Sequence, residues 1–398
     1  MKLKPSIIIF SLLCVTLFLS CQDKDAQLAV EKIQPHTLNI NFEGEIPNDE
    51  KIKMTLDVSS LEENSTYKGK IETRGGFSIS FPKKSYEIDL KKDVPLAGLT
   101  DDDDWILNSN YIDKTFLRHV ISYQLFTDMS DNNIASECRY VEVGLNGKYN
   151  GLYVLMEKLD KSSLEIDDSD SLSFIFKEPH IFRETYEGIK PQNANNFHQQ
   201  TFPKIRSEDK RSVIEAIRDS ILVSSDDDFK TYFNIAFDVD NIIDWHLLLL
   251  ISNNGDGILK NFYLFKSNTD TPIRVAPWDY DHSFGRDGDN ELNLDQNPLK
   301  IERSILFKRL LQFDWYKTAL KKRWNQLNEA NILSTSGLKN RILQKSTSIR
   351  DLANKNFELW PLGSKKYYDD NDFDEEIDIM IQFIDIRHQR LSKYFSGL

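Results

Sequence analysis

Two different hydrophobic periodicities divide this chain, and their order along the sequence restricts the fold more than any other feature. Residues 37–100 contain short runs of alternating apolar and polar positions, such as "TLNINFEG" and "KIKMTLDV", which is typical of half-buried antiparallel strands. Residues 303–398 instead show helical spacing, as in "SILFKRLLQFDWYKTALKKRWNQL". Strands followed by helices favour an α+β fold, with a sheet-rich N-terminal lobe over 37–160 and a mainly helical C-terminal lobe over 161–398.

Local signals place the main elements within these lobes. Residues 114–128 predict an amphipathic helix, and 139–160 predict a hairpin with "NG" at its turn. Ser207 is the expected N-cap of a helix that begins with "SEDKRSVIEAIRDSILV". The run 238–253 is apolar enough to be a buried helix, whose end Asn253 and Asn254 are expected to cap.

The first residues predict export and anchoring. A basic start and an apolar run, too short for a comfortable membrane span, predict a lipoprotein signal peptide over 1–20 that precedes Cys21. Lipidated Cys21 would then hold the protein to a membrane through a polar tether over 21–36. This pattern predicts an extracytoplasmic lipoprotein of the outer membrane or cell surface, and the alternative is a plain secretory signal that is cut elsewhere. Cys14 would leave with the signal peptide, so Cys138 would have no intramolecular disulfide partner.

The charge balance restricts the partners. The formal net charge of −13 argues against nucleic acid and anionic lipid surfaces and favours a basic macromolecule. We expect a monomer. Four acidic runs lack the glycine turn of a calcium loop and are expected to be solvated loops, at 101–104, 167–171, 226–228 and 369–376.

The stretch 253–285 carries the candidate chemistry. Asp256 follows the predicted buried helix, and Asn261 comes five positions later; two apolar runs then predict a short hairpin that ends before Asp279 and Asp281. A helix, an Asp-x4-Asn loop, a hairpin and a second Asp occur in this order in protein kinases. Clustered carboxylates repel each other unless a cation neutralises them, so the pattern predicts a metal–phosphate site.

Five motifs in order resemble the spore coat protein H (CotH) kinase family. They are "RGGFSISFPKKSYEIDL", "DDDWILNSNYIDKTFLRHVISYQL", "CRYVEVGLNGKYNGLYVLMEKLD", "NGDGILKNFYLF" and "PWDYDHSFG", and the resemblance spans roughly 38–390. It implies an atypical secreted or surface protein kinase with a kinase-like fold, which transfers phosphate from ATP to Ser on protein substrates. It also implies that Asp256 is the catalytic aspartate and that Asp279 binds the metal, Mg²⁺ or Mn²⁺. "RGGFS" departs from the family's more usual Arg-Gly-Asn-Ser-Ser.

Within this framework, the remaining site residues are assigned by analogy with kinases. Arg74 and Lys84 are expected to bind ATP phosphates; Lys84 is chosen over Lys83 because strand alternation places it with the apolar side chains that face inward. Arg118 is expected to bind phosphate or a carboxylate, or to be a surface charge. Glu157 is expected to border the nucleotide base, and it is one candidate, with Glu142, for the carboxylate that positions the lysine. Asn261 and Asp281 are the further expected metal ligands, although Asp281 could instead stabilise its loop.

Three functional hypotheses follow. The first is an active, lipid-anchored kinase that phosphorylates Ser or Thr hydroxyls of proteins outside the inner membrane. The second is a catalytically inactive, kinase-like binding or structural lipoprotein, favoured by the absence of a Glu in the 114–128 helix and by the scarcity of ATP in that compartment. The third is phosphoryl transfer to a glycan or small molecule, against which the sequence offers no discriminator.

Overall fold

A closed β-barrel forms the N-terminal part of the computed structural model. Its seven strands follow the order β1-β2-β3-β4-β5-β7-β6, and all neighbours are antiparallel except β1 and β6, whose parallel pairing closes the barrel. The strands are β1 (His36–Phe42), β2 (Ile52–Ser59), β3 (Asn64–Arg74), β4 (Ser85–Pro95), β5 (Asp101–Asn108), β6 (Cys138–Leu145) and β7 (Lys148–Glu157). The expected antiparallel strands are therefore present, but they form a closed barrel.

Alternating side chains fill the barrel interior. In β2, for example, Met54, Leu56 and Val58 are buried while the residues between them are more exposed, as a period of two requires. The β6–β7 hairpin turns at Asn146 and Gly147, whose φ angles of 49° and 76° match the turn predicted from "NG". The interior cluster includes Leu38, Ile40, Ile71, Ile88, Trp105, Val141, Val143, Tyr153 and Leu155.

The structure describes residues 32–61, 63–187, 198–294, 298–362 and 369–398, and Lys32–Leu398 forms one compact unit. The predicted signal peptide and Cys21 lie outside the described residues. Among the described helices, none has the length and apolar character needed to cross a membrane. The end of the predicted tether is not free: Lys32 pairs with Asp351 at 2.5 Å, and the Ile33 amide donates to the Ser348 carbonyl at 3.2 Å.

A second sheet has the order β11-β10-β8-β9, and all its neighbours are antiparallel. Its strands are β8 (Phe174–Lys177), β9 (Gln200–Phe202), β10 (Phe262–Lys266) and β11 (Arg274–Pro277). Because β10 runs opposite to β8 and β11, the start of β10 lies beside the ends of the other two strands. This edge therefore collects Lys177, Asn261 and the loop that begins at Trp278.

Helices surround this sheet and make the larger core with it. They are α1 (Arg118–Met129), α2 (Arg211–Val223), α3 (Asp226–Ala236), α4 (Val239–Ser252), α5 (Ile305–Leu310), α6 (Asp314–Glu329), α7 (Thr335–Leu359) and α8 (Phe373–Gly397). Helix α4 is buried almost throughout, as its composition predicts, and Asn253 ends it with a left-handed φ of 57°. The expected N-cap of α2 was wrong: the cap position is Lys210, and Ser207 lies in the preceding turn.

The run 167–171 is the expected exposed loop, whereas the other three acidic runs lie wholly or partly in regular elements, which corrects the expectation for them. Residues 101–104 begin β5, and Asp102 there is 4% exposed. Residues 226–228 form the first turn of α3, where carboxylates face the positive end of the helix dipole. The last run begins α8, with a capping box between Asp372 and Glu375. The α+β class is confirmed, while the kinase-like arrangement of two lobes and its boundaries stay predictions.

Candidate functional site

A cleft of about 730 Å³ lies between the rim of the barrel and the edge of the second sheet. The barrel contributes the end of β3 and the start of β4, with Arg74 and Ser85 paired across the ladder. The second sheet contributes Lys177, Asn261 and Asp279. The cleft thus receives residues from chain segments about two hundred positions apart, and it is the place where the sequence-predicted site can be tested.

The cleft wall contains the candidate metal ligands Asp279 and Asp281, together with His119 from α1. One ligand atom from each lies within 4.8 Å of the others, and His119 Nε2 is 3.5 Å from Asp279 Oδ1. Asp279 adopts a left-handed φ of 56°, and its backbone amide donates a hydrogen bond to the Tyr123 hydroxyl at 3.0 Å. Aromatic packing of Tyr123 against His119 supports the same arrangement. This backbone geometry turns the Asp279 carboxylate toward the imidazole.

The two carboxylates have opposite pKa shifts. Burial by itself would raise the pKa of Asp279, but the hydrogen bond and positive charge of His119 outweigh it and lower the pKa to about 2. The pKa of Asp281 is raised by burial and by the negative charge of Asp279. Two acids that disfavour each other's ionisation, beside an imidazole nitrogen, form a donor set that a divalent cation would stabilise.

Two amide side chains tie the Asp256 loop to the Asp279 loop. Asn261 Nδ2 donates to the Asp279 carbonyl at 2.8 Å, and Asn254 Nδ2 donates to the same oxygen at 3.2 Å. Asn254 also accepts from the Gly257 amide at 2.8 Å, which orders the loop after α4. Since the nitrogen of Asn261 is engaged in this way, its amide oxygen is the atom available to a metal. The predicted proximity of these two loops is therefore present in the structure.

Asp256 lines the cleft at the start of a helical turn. Its carbonyl accepts from the amides of Leu259 and Lys260, at 3.0 and 2.9 Å, and this turn orients its side chain. Its carboxylate is half-exposed and pairs with Lys260 Nζ at 2.9 Å. An accessible carboxylate at this position can accept a hydrogen bond from a substrate hydroxyl, with Lys260 beside it.

Two cations of the cleft lining, Arg74 and Lys177, lie over the ring of Trp278, the residue before Asp279. The Arg74 guanidinium lies 5.6 Å from the centre of the Trp278 ring, and Lys177 Nζ lies 5.0 Å from it. Burial lowers the pKa of Lys177, and the charge of Arg74 lowers it further against the opposing charges of Glu178 and Asp279. Two cations close enough to affect each other are stabilised when an anion binds between them.

The turn after Arg74 has the glycine that its geometry requires. Gly75 has a φ of 128°, and a Cβ there would lie 2.1 Å from the Ser78 hydroxyl. A short 3-10 helix, Phe77–Ser80, follows, and Phe77 lies on the cleft with 76% exposure. The predicted positions of Arg74 and of the glycine turn beside the cleft agree with the structure.

The expected orientation of Lys84 was wrong. The strand begins only at Ser85, so the alternation used to choose between the two lysines does not extend to them. Lys84 Nζ instead donates to the Ile79 carbonyl at 2.6 Å and does not line the cleft. Lys83, expected in solvent, is 1% exposed; it donates to the carbonyls of Ser109 and Leu152 and lies over the Tyr153 ring at 4.3 Å.

Arg118 was expected to bind phosphate, a carboxylate or solvent, and the structure supports the second alternative. It is 1% exposed, and its guanidinium donates to Asp113 Oδ1 at 2.6 Å, to Glu376 Oε2 at 3.1 Å and to the Ser283 carbonyl at 2.9 Å. These partners occupy the guanidinium inside the protein and away from the cleft lining. Its assignment as a phosphate ligand is therefore corrected to a structural ion pair.

Glu157 does not line the cleft, whereas its neighbour Met156 does. Successive side chains of β7 point to opposite faces, so only one of the two can face a nucleotide. Glu157 is half-buried, and burial together with the charge of Asp102 raises its pKa to about 7. Glu142, the other candidate for positioning a lysine, pairs with Lys355 at 2.6 Å. Neither glutamate therefore positions a cleft lysine.

Sequence reasoning missed two residues of the cleft. His119 directly follows Arg118 in the predicted helix, and no local pattern distinguishes it as a ligand. Lys177 ends "SFIFK" in a region, 161–205, whose strands the sequence did not predict. Residues 188–197 of that region lie outside the described residues. Three successive apolar residues followed by a Lys are compatible with a short strand that ends at a site, and the sequence offers this signal at 174–177.

Comparison with known proteins gives two findings. The family model described as CotH kinase protein matches residues 71–391, which include every cleft residue discussed above. The inner spore coat protein H of Bacillus subtilis (strain 168) is 22% identical over 333 residues, which cover 82% of this chain and 87% of that protein.

Proposed function

Because this chain belongs to the CotH kinase protein family, we propose that it is an ATP-dependent phosphotransferase that phosphorylates Ser or Thr hydroxyls of proteins. One observation carries the proposal: two loops from opposite ends of a hairpin meet at one cleft, with Asp256 on the first and Asp279 on the second. Arg74 and Lys177 lie on the same cleft. Phosphoryl transfer requires carboxylates that hold a metal ion, a carboxylate that orients the acceptor hydroxyl, and cationic side chains that bind the phosphates.

Each residue has a role in this proposal. Asp256 accepts a hydrogen bond from the acceptor hydroxyl and aligns its oxygen with the phosphoryl group, and it can take the proton as the new bond forms. Arg74 binds the nucleotide phosphates and balances their charge. Asn261 holds the Asp279 loop in register with the Asp256 loop through the carbonyl of Asp279. Little covalent participation by the protein is needed, since positioning and charge stabilisation supply most of the acceleration.

The donor set fits Mg²⁺ or Mn²⁺. Asp279 and Asp281 would supply carboxylate oxygens and His119 a nitrogen, and the amide oxygen of Asn261, whose nitrogen donates to the Asp279 carbonyl, could add a further ligand. When bound, such an ion supplies neutralisation of the charge on the transferred phosphoryl group. A nitrogen ligand suits Mn²⁺ better than Mg²⁺, so we expect the manganese-loaded protein to be the more active form.

The test is phosphate incorporation from radiolabelled ATP into the protein itself or into a basic protein such as histone, with each metal in turn. Asp256→Asn and Asp279→Asn should each lower incorporation by about 10²-fold or more, which corresponds to about 2.7 kcal/mol of lost transition-state stabilisation. The matched control is Asp270→Asn, at the exposed tip of the same hairpin, which should keep wild-type incorporation. Incorporation that survives both cleft substitutions would refute the proposal.

A second candidate is a kinase-like protein without activity that binds a partner or nucleotide. It is favoured by the pairing of Asp256 with Lys260 and by the orientation of Lys84 away from the cleft. Thermal unfolding with nucleotide and metal separates the two functions, together with the incorporation assay. A bound ligand at a hundred times its dissociation constant adds about 2.7 kcal/mol to the free energy of unfolding. Stabilisation without incorporation would favour the inactive protein.

We also propose that the protein acts outside the inner membrane as a lipoprotein anchored through Cys21 and that its acceptors are basic proteins. The sequence pattern around Cys21 and the net charge of −13 support these proposals. Metabolic labelling with a fatty acid, compared between the wild type and Cys21→Ala, tests the anchor. Loss of label and release from the membrane fraction are expected in the variant, and equal labelling of both proteins would contradict it. The charge gives no reason to expect a nucleic-acid partner, and a monomer is expected by size-exclusion chromatography.

A further inference from the structure

The end of β8 brings a lysine into the cleft that sequence comparison with kinases does not suggest. Lys177 is the last residue of this strand and pairs with Tyr263 of β10. Its backbone amide donates to the Gln199 carbonyl at 3.1 Å, so the strand position is held from both neighbours. From there, Lys177 Nζ reaches over the Trp278 ring beside the Asp279 loop. The lysine is therefore presented to the cleft by a regular sheet.

The ammonium group of Lys177 has no hydrogen-bond acceptor among the described residues. Its nearest carboxylate among the described ion pairs is that of Glu178, at 3.9 Å, which is too long for a hydrogen bond. No described hydrogen bond uses its side chain. An ammonium ion has three donors, and a largely enclosed one without acceptors is unfavourable. An anionic ligand in the cleft would satisfy these donors.

The other lysines near the cleft are already engaged. Lys83 and Lys84 donate to backbone carbonyls, and Lys260 pairs with Asp256. Lys158, on the barrel side, pairs with Glu87 and Asp104 at 2.9 and 3.0 Å. Among the described lysines that line the cleft, Lys177 is thus the one whose side chain has no hydrogen bond and no ion pair shorter than 3.9 Å.

We propose that Lys177 is the lysine that binds the nucleotide phosphates, acting with Arg74 across Trp278. This inference rests on the proposed function for the identity of the ligand, but it assigns the lysine to the second sheet instead of the barrel. The barrel contributes Arg74 and the second sheet contributes Lys177, so the phosphates would be held from both sides of the cleft. Asn261 and Asp279 leave the same edge of the sheet as Lys177, so one sheet edge positions phosphate and metal ligands together.

A direct test uses an acylating analogue of ATP whose γ-phosphate carries a biotinyl acyl group. The amine of a lysine near the γ-phosphate attacks the acyl carbonyl, forms an amide and releases ATP as the leaving group. The full-length protein is treated with this probe in the presence of Mn²⁺, with and without excess ATP, and the labelled peptide is identified by mass spectrometry. We expect label on Lys177 that excess ATP suppresses. ATP-suppressible label on Lys84 or Lys260, with none on Lys177, would overturn the inference.

Affinity measurements add a readout that does not depend on labelling. Lys177→Met should weaken ATP binding by about tenfold or more, as expected for the loss of a charged hydrogen bond, and should leave adenosine binding unchanged. Lys84→Met is the matched control and should bind ATP within about twofold of the wild type. The melting temperatures of the nucleotide-free proteins show whether each variant is folded. Unchanged ATP affinity in a folded Lys177→Met protein would overturn the inference.

The experiment separates this inference from the proposed function. If Lys177 is labelled in both the wild type and Asp256→Asn while neither transfers phosphate, the lysine assignment stands and the kinase proposal fails. If the wild type transfers phosphate while Lys177 is neither labelled nor needed for ATP affinity, the kinase proposal stands and the lysine assignment fails. If the wild type shows no ATP-suppressible label, no ATP affinity and no transfer, both fail.

Discussion

Replacement of Lys83 by Met tests the corrected positions of the two adjacent lysines through stability. Lys83 is fully enclosed, and its amine donates to two backbone carbonyls, one after β5 and one in β7. It also lies over the rings of Phe116, at 5.1 Å, and Tyr153, at 4.3 Å. Met has a similar length and keeps the contacts of the aliphatic chain, so the substitution removes mainly the donors.

The expected loss of stability follows from those donors. Each buried hydrogen bond contributes about 1 kcal/mol, and an acceptor left without a partner costs about 1–3 kcal/mol more. Removing the polar amino group of Lys83 from an apolar site offsets part of this loss. We expect Lys83→Met to lower the free energy of unfolding by about 2–4 kcal/mol. Lys84→Met removes one contact with Ile79 at a partly exposed site and should cost less than about 1 kcal/mol.

The pH dependence has a definite sign. Burial holds the pKa of Lys83 well below its usual value of 10.5. Between the folded-state pKa and 10.5, the unfolded chain binds a proton that the folded protein does not, so the free energy of unfolding rises with pH in that window. Lys83→Met lacks this contribution. The difference in stability between the wild type and Lys83→Met should therefore grow as the pH rises through that window toward 10.5.

Urea unfolding at 25 °C, followed by tryptophan fluorescence at several pH values, measures the loss of stability in Lys83→Met, the loss in Lys84→Met and the pH dependence of the first. The m-value must stay constant across the variants, because a change in m signals a different unfolded or native state. A loss of stability in Lys84→Met that equals or exceeds the loss in Lys83→Met would refute the assignment of the buried lysine. A pH-independent difference would refute the lowered pKa.

Three further predictions concern stability. Burial and the charge of Asp102 raise the pKa of Glu157 to about 7, so between pH 4.5 and 7 the folded protein binds a proton that the unfolded chain does not. Glu157→Gln should therefore be more stable than the wild type at pH 8, by about 1–2 kcal/mol after discounting for solvent screening. Below pH 4.5 the two proteins should be equally stable, and urea unfolding measures both differences. Arg118→Met should lower the free energy of unfolding by about 3–5 kcal/mol, because it leaves the carboxylate of Glu376 buried with one cation fewer, and a loss below 1 kcal/mol would contradict the ion-pair assignment. Asn253→Gly and Asn253→Ala both remove the hydrogen bond that Arg387 donates to the Asn253 side chain at 2.7 Å, but Asn253→Gly should be the more stable by about 1 kcal/mol, since φ at this helix end is 57°; equal thermal melting of the two variants would exclude backbone strain as a cause.

Local patterns in the sequence determined the class of the fold and the order of the catalytic segments. Alternation predicted β1 to β4, the "NG" turn predicted the β6–β7 hairpin, and the apolar run predicted α4 as a buried helix. The same order of helix, loop and hairpin placed Asp256 and Asp279 at the two ends of a hairpin. These predictions depend on neighbours within a few residues, so the chain carries their signals directly.

Only the tertiary structure decided which side chains meet. Lys84 was misplaced because the strand register begins one residue later, at Ser85, and the preceding turn carries Lys83 inward. Arg118 and Glu376 are separated by 258 positions, and no local period relates them. The pairing of β8 with β10, which brings Lys177 to the Asp279 loop, is likewise a long-range contact. Barrel closure and strand pairing depend on the whole chain, and these pairings set the charge that each cleft residue faces.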